Sequence, residues 1–133
     1  MFGLGKKKPP PIRSLVGEGM VVHGNVKFAG GLRIDGQVIG DVIAEGDCRS
    51  ILMISDNALV HGKVTASHVI INGKVLGSLH CNELLELEPK ARVVGDIRYE
   101  TLEMHPGATV EGELKPLKNA EKPALRPLVA NDV

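Results

Sequence analysis

A short pattern of alternating apolar and polar residues, closed by the signature Val-x-Gly-x-apolar, recurs six times between Ser14 and Leu114. Its full form, apolar-x-apolar-x-x-x-Ala-x-Val-x-Gly-x-apolar, reads LMISDNALVHGKV at Leu52 to Val64, LELEPKARVVGDI at Leu85 to Ile97 and LEMHPGATVEGEL at Leu102 to Leu114. A form two residues shorter reads LRIDGQVIGDV at Leu32 to Val42 and VIINGKVLGSL at Val69 to Leu79. A weaker first copy, SLVGEGMVVHGNV, occupies Ser14 to Val26. Aligned on the signature glycine, the copies fall at Gly24, Gly40, Gly62, Gly77, Gly95 and Gly112, separated by 15 to 22 residues.

Within each copy the period is two. Leu52, Ile54, Ala58, Val60, Gly62, Val64 and Ala66 share one side of the backbone, opposite Met53, Ser55, His61, Lys63 and Thr65, which is the periodicity of a strand. One short strand with one apolar face cannot bury that face alone. A chain of such strands at constant register buries it by coiling, each copy stacking on the last. The predicted fold is therefore all-β: a parallel β-helix, or β-solenoid, of about six rungs, roughly 29 Å long at about 4.8 Å per rung. Composition agrees. The chain has no Trp, one Tyr (Tyr99) and two Phe (Phe2, Phe28), so its core must come from Val, Ile and Leu, which favour strands and fit a narrow lumen. The longest glycine interval, Gly40 to Gly62, predicts a surface loop at Ala44 to Ser50.

A solenoid has two open ends, each with unpaired strand backbone beside an apolar lumen, and natural proteins normally cover or charge such edges. Here the first rung (Val16, Met20, Val22, Val26, Phe28) begins bare, and the last (Leu102, Met104, Val110, Leu114) stops without a capping helix. Both ends are expected to be self-association surfaces. Contacts at both ends of a rod do not readily close into a ring, so stacking is expected to give filaments.

The formal net charge is zero, but unevenly spread. Residues 1–13 carry +4 and residues 115–133 carry +2, leaving −6 on residues 14–114. An acidic folded region argues against direct nucleic-acid binding. Three parts are expected: a basic tail at 1–13, a β-helix at 14–114 and a Pro-containing tail at 115–133. In the first tail, Met1, Phe2 and Leu4 precede Lys6, Lys7 and Lys8, then three prolines. An apolar tip beside a cationic cluster suits a weak anchor in an anionic leaflet; an ordinary solubilising tail is the alternative. The second tail is unpatterned and read as disordered, with partner docking possible there. No signal peptide and no apolar run of about 20 residues is evident. Cys48 and Cys81 lack a C-x-x-C spacing, so reduced thiols in the cytosol are expected.

Catalytic readings fail on geometry. His23 and His61 share a template position but lie two rungs apart, about 10 Å, too far for one metal ion. They belong to an outward column, His23, Ile39, His61, Leu76, Val94 and Glu111, which could form a lateral contact. Alternation turns His80 outward and Cys81 inward, so they cannot act as base and nucleophile. No phosphate-binding or dinucleotide fingerprint is present, and neither a cofactor nor enzyme activity is expected. A hexapeptide-repeat acyltransferase would space its coils in near-multiples of six, which these spacings break. A non-polymerising β-solenoid interaction module remains the main alternative to a structural polymer.

The segments GGLRIDGQVIGDV (Gly30 to Val42), VIINGKVLGSL (Val69 to Leu79) and LELEPKARVVGDIRYETLEMHPGATVEGEL (Leu85 to Leu114) resemble the bactofilins, bacterial polymer-forming cytoskeletal proteins. The resemblance covers residues 14 to 114 in order and spacing. It implies a right-handed, triangular β-helix between flexible tails, assembling without nucleotide into non-polar filaments whose like ends meet. It further implies that Met1 to Leu4 with Lys6 to Lys8 attach the polymer to the inner face of the cytoplasmic membrane. There the filament would scaffold cell-wall or chromosome-organising proteins.

Overall fold

Alternation with a glycine corner every few residues dictates short strands, and the computed structural model, which describes residues 11–46 and 49–117, contains fifteen of them among those residues, every pair parallel. The first coil holds β1 (Ile12–Val16), β2 (Val21–His23) and β3 (Val26–Phe28). The second holds β4 (Gly31–Ile34), β5 (Gln37–Ile39) and β6 (Val42–Ala44). From the third coil onward the strand that ends one coil bends round a corner and opens the next. Thus β7 (Ile51–Ile54) and β8 (Leu59–His61) lead into β9 (Val64–Ile71), whose start pairs with β6 and whose end pairs with β7. β10 (Lys74–Leu76), β11 (Leu79–Leu87), β12 (Arg92–Val94) and β13 (Ile97–Met104) repeat the scheme, and β14 (Thr109–Glu111) and β15 (Leu114–Pro116) complete the sixth coil.

Each coil therefore contributes one strand segment to each of three faces, and the section is triangular. The second face is the simplest, a six-stranded sheet of β2, β5, β8, β10, β12 and β14. The expected six-rung parallel solenoid is the observed architecture. Its strands begin two residues before the expected boundary at 14 and end two residues after 114. The early start was hidden because Ser14 is polar, yet it occupies the inward position in register with Leu32.

Register turns the repeat into continuous columns. Val22, Val38, Val60, Val75, Val93 and Val110 stack through the lumen, one per coil, and so do Val16, Ile34, Ile54, Ile71, Leu87 and Met104. The middle four members of both columns are fully buried. Each such side chain contributes roughly 1.5–3 kcal/mol relative to exposure, which makes these columns the main cohesive element along the axis.

The corner after the second face explains the signature glycine. A Cβ on Gly77 would lie inside contact distance of the Gly62 carbonyl, and one on Gly95 would meet Gly77 in the same way. Gly77 and Gly95 also have φ of 154° and 150°, at the edge of the region L side chains avoid. The next residue often caps this corner: Asn25 Oδ1 accepts the Asp41 N–H at 3.0 Å, and Asp41 Oδ1 accepts the Lys63 N–H at 2.9 Å. Of the loop expected at Ala44 to Ser50, Ala44 still belongs to β6, while Glu45, Gly46, Arg49 and Ser50 lie outside any strand. Ser50 is buried, and its Oγ is satisfied there by accepting the Ser67 N–H at 2.9 Å on the following coil,.

Candidate self-association surfaces at the ends of the solenoid

Inside the stack, each signature glycine N–H donates to the next coil: Gly24 to the Ile39 oxygen at 2.9 Å, Gly40 to His61 at 3.0 Å, and so on to Gly95 and the Glu111 oxygen at 2.8 Å. Gly112 holds the same place on the sixth coil, and no seventh coil follows among the described residues. Leu114 likewise stands where Ile97 donates its N–H to the Glu113 oxygen at 2.8 Å. The C-terminal end thus continues the donor pattern outward with no strand among the described residues to receive it.

Apolar exposure is concentrated at the same places. The large hydrophobic side chains that are exposed among the described residues are Ile12, Leu15, Met20 and Val21 on the first coil and Met104 and Leu114 on the last. Of the residues expected at the C-terminal end, Met104 is 46% and Leu114 40% exposed, while Leu102 and Val110 are half-buried. All four belong to lumen columns, so their exposure is that of an open core.

The N-terminal end is built differently. Val22 and Val26 are half-buried and Met20 is exposed, but Val16 and Phe28 are only 6% and 7% exposed. Met20 folds back so that its sulfur accepts the Gly17 N–H at 3.3 Å. The accessible apolar surface therefore includes three residues missed in the sequence: Ile12, Leu15 and Val21. Their signal was available, since Leu15 and Val21 hold outward positions in register with Arg33 and Gln37. The structure gathers the residues of each end but keeps the two ends apart, at opposite extremities of the stack. Met1, Phe2, Leu4, Lys6, Lys7 and Lys8 lie outside the described residues.

Elsewhere the side chains fall as alternation requires. His23 and His61 are exposed on the outward column that runs through Ile39. Cys81 is a free, fully buried thiol, and His80 is half-buried on the other side of the strand. Burial pushes the Cys81 thiol up to about 11, the opposite of an activated nucleophile. An open-sided groove on the third face, about 460 Å³, is lined by Lys63, His80, Asp96, Arg98 and Lys115 among others. No helix among the described residues is long and apolar enough to cross a membrane. Cys48 lies outside the described residues.

The family model for Bactofilin, described as polymer-forming cytoskeletal, matches residues 14–115, the span of the six coils. The chain is also similar to Bactofilin BacP of Myxococcus xanthus (strain DK1622), with 26% identity over 118 residues, covering 87% of this chain and 48% of that protein. It is similar to Bactofilin BacO of the same organism, with 26% identity over 101 residues, covering 76% of this chain and 77% of that protein. The chain thus spans about half the length of the first relative. No solved structure matches it.

Proposed function

Because the chain belongs to the bactofilin family of polymer-forming cytoskeletal proteins, we propose that it assembles end to end through its first and last coils into filaments that need no nucleotide. The observation that carries this reading is the placement of the exposed large hydrophobic residues on the two terminal coils. In a filament the open lumen at Leu102, Met104, Val110 and Leu114 would meet apolar surface from a second copy, and each terminal strand would gain a neighbour. Like ends are taken to meet, as the family resemblance implies, and a polymer built so has no overall direction. Electron microscopy and sedimentation of purified protein without ATP or GTP test this. Filaments that pellet are the expected result, and a sample that stays a small oligomer at high concentration favours the non-polymerising interaction module.

The same reading places the polymer on the cytoplasmic membrane. Phe2 and Leu4 beside Lys6, Lys7 and Lys8 form a weak interfacial anchor by composition,, and many such tails on one filament would act together by avidity. Deleting residues 2 to 8 is expected to release filaments from anionic vesicles without shortening them. Cell-wall or chromosome-organising proteins are the proposed clients of this scaffold. We read its role as structural, not catalytic.

A further inference from the structure

On the first face, Glu86 of the fifth coil and Glu103 of the sixth are direct register partners. Two carboxylates so placed stand one strand spacing apart, about 4.8 Å, which destabilises a sheet unless something neutralises them. Acids alone would attract any cation and specify none. Here an imidazole completes the set: His105 follows Glu103 by two residues, and one ligand atom from each of Glu86, Glu103 and His105 lies within 4.8 Å of the other two. Glu86 is anchored from its other side by His68, whose Nε2 is 2.8 Å from Glu86 Oε2, with side chains only 15% and 22% exposed. Glu88 Oε2 lies 3.6 Å from His105 Nε2, so that imidazole already stands beside one carboxylate of the preceding coil.

The geometry points to a binding site for a divalent transition-metal ion of the zinc class, held by Glu86, Glu103 and His105. Metal–ligand distances of about 2.0–2.2 Å require the three atoms to close by an ångström or so. Glu103 and His105 are exposed, with room on the solvent side for that adjustment, while Glu86 is held by His68. The imidazole favours zinc, cobalt or nickel over magnesium or calcium, which prefer oxygen ligands throughout. A bound ion would cross-link the fifth and sixth coils beside Met104, and this assignment rests on the fold alone, not on filament assembly.

The test is titration of the full-length chain with Zn²⁺ against a chromogenic chelator, in a Cys48→Ser background so that this thiol supplies no signal. One saturable Zn²⁺ per chain is expected, undisturbed by millimolar Mg²⁺. Glu103→Gln and His105→Gln should each weaken binding at least about tenfold, whereas His61→Gln should leave it unchanged. Absence of saturable binding, or binding that survives both Glu103→Gln and His105→Gln, overturns the assignment.

Discussion

Leu87 and Met104 are register partners in the same lumen column, yet Leu87 is fully buried and Met104 is 46% exposed. One further coil makes the difference. The contrast separates folding from assembly: Leu87→Ala is expected to destabilise the monomer by about 2–5 kcal/mol, because neighbouring coils cannot collapse into the void. Met104→Arg, or Leu114→Arg, should leave the urea midpoint nearly unchanged while abolishing pelletable filaments. If both arginine variants still pellet as the parent does, the C-terminal end is not a polymer contact.

The signature glycines give a second prediction. Gly77 combines φ of 154° with a Gly62 carbonyl where its Cβ would sit, while Gly19, at φ of 91°, has open space around it. Both positions resist alanine for conformational reasons, at about 1–3 kcal/mol, but only Gly77 adds a backbone clash that must push two coils apart. Gly77→Ala should therefore lower the thermal midpoint clearly more than Gly19→Ala. Equal losses would mean the coils can separate locally at little cost.

Acid sensitivity should reside partly at the corner after the first face. The Ser55 hydroxyl and then the Arg33 guanidinium, 2.9 Å away, bond the Asp35 carboxylate and hold its pKa below the usual value. A carboxylate depressed in the folded state contributes stability that is present above its unfolded pKa, about 3.9, and is lost as pH falls through the folded value. Unfolding in urea at pH 7 and pH 3 should show the parent losing more stability on acidification than Asp35→Asn. Because Asp35 is partly exposed, the difference will be small, and identical acid losses would remove Asp35 from the account.

Which of these features could be read from the sequence follows from how local they are. The Val22 to Val110 column was legible because the same five-residue signature marks every coil, so register across the stack repeats register along the chain. The outward column from His23 to Glu111 was legible for the same reason. Of the exposed first-coil residues, Leu15 and Val21 could have been found from their outward template positions, whereas Ile12 could not, because it precedes the first recognisable copy, which begins at Ser14. The grouping of Glu86, Glu103 and His105 was legible only in part. Glu86 and Glu103 hold the same second position of the full form, so their pairing follows from the repeat, but the approach of His105, which occupies the template place of Glu88, to Glu86 on the coil before depends on side-chain placement that the template does not specify. The Ser50 to Ser67 bond joins a loop to a bend, two places the template leaves blank.

Cys81 offers a probe of whether the stack opens as one unit. Its Sγ lies 3.1 Å from the Ser67 carbonyl oxygen and 2.9 Å from that of Leu84, either of which can accept the thiol proton. Burial raises its pKa to about 11, whereas an unfolded thiol ionises near about 8.5. The folded state therefore keeps a proton that the unfolded state loses, so this contribution is complete below the unfolded value and disappears as pH rises toward about 11,. A Cys81→Ala variant should lack that alkaline loss. Iodoacetamide at pH 8, read by peptide mass spectrometry, should leave Cys81 unmodified in native protein and label it in urea, at a rate set by opening of the coils. Prompt labelling of the native chain at Cys81 would mean that β11 frays independently of its neighbours, and that the coils do not bury one another as cooperatively as their columns require.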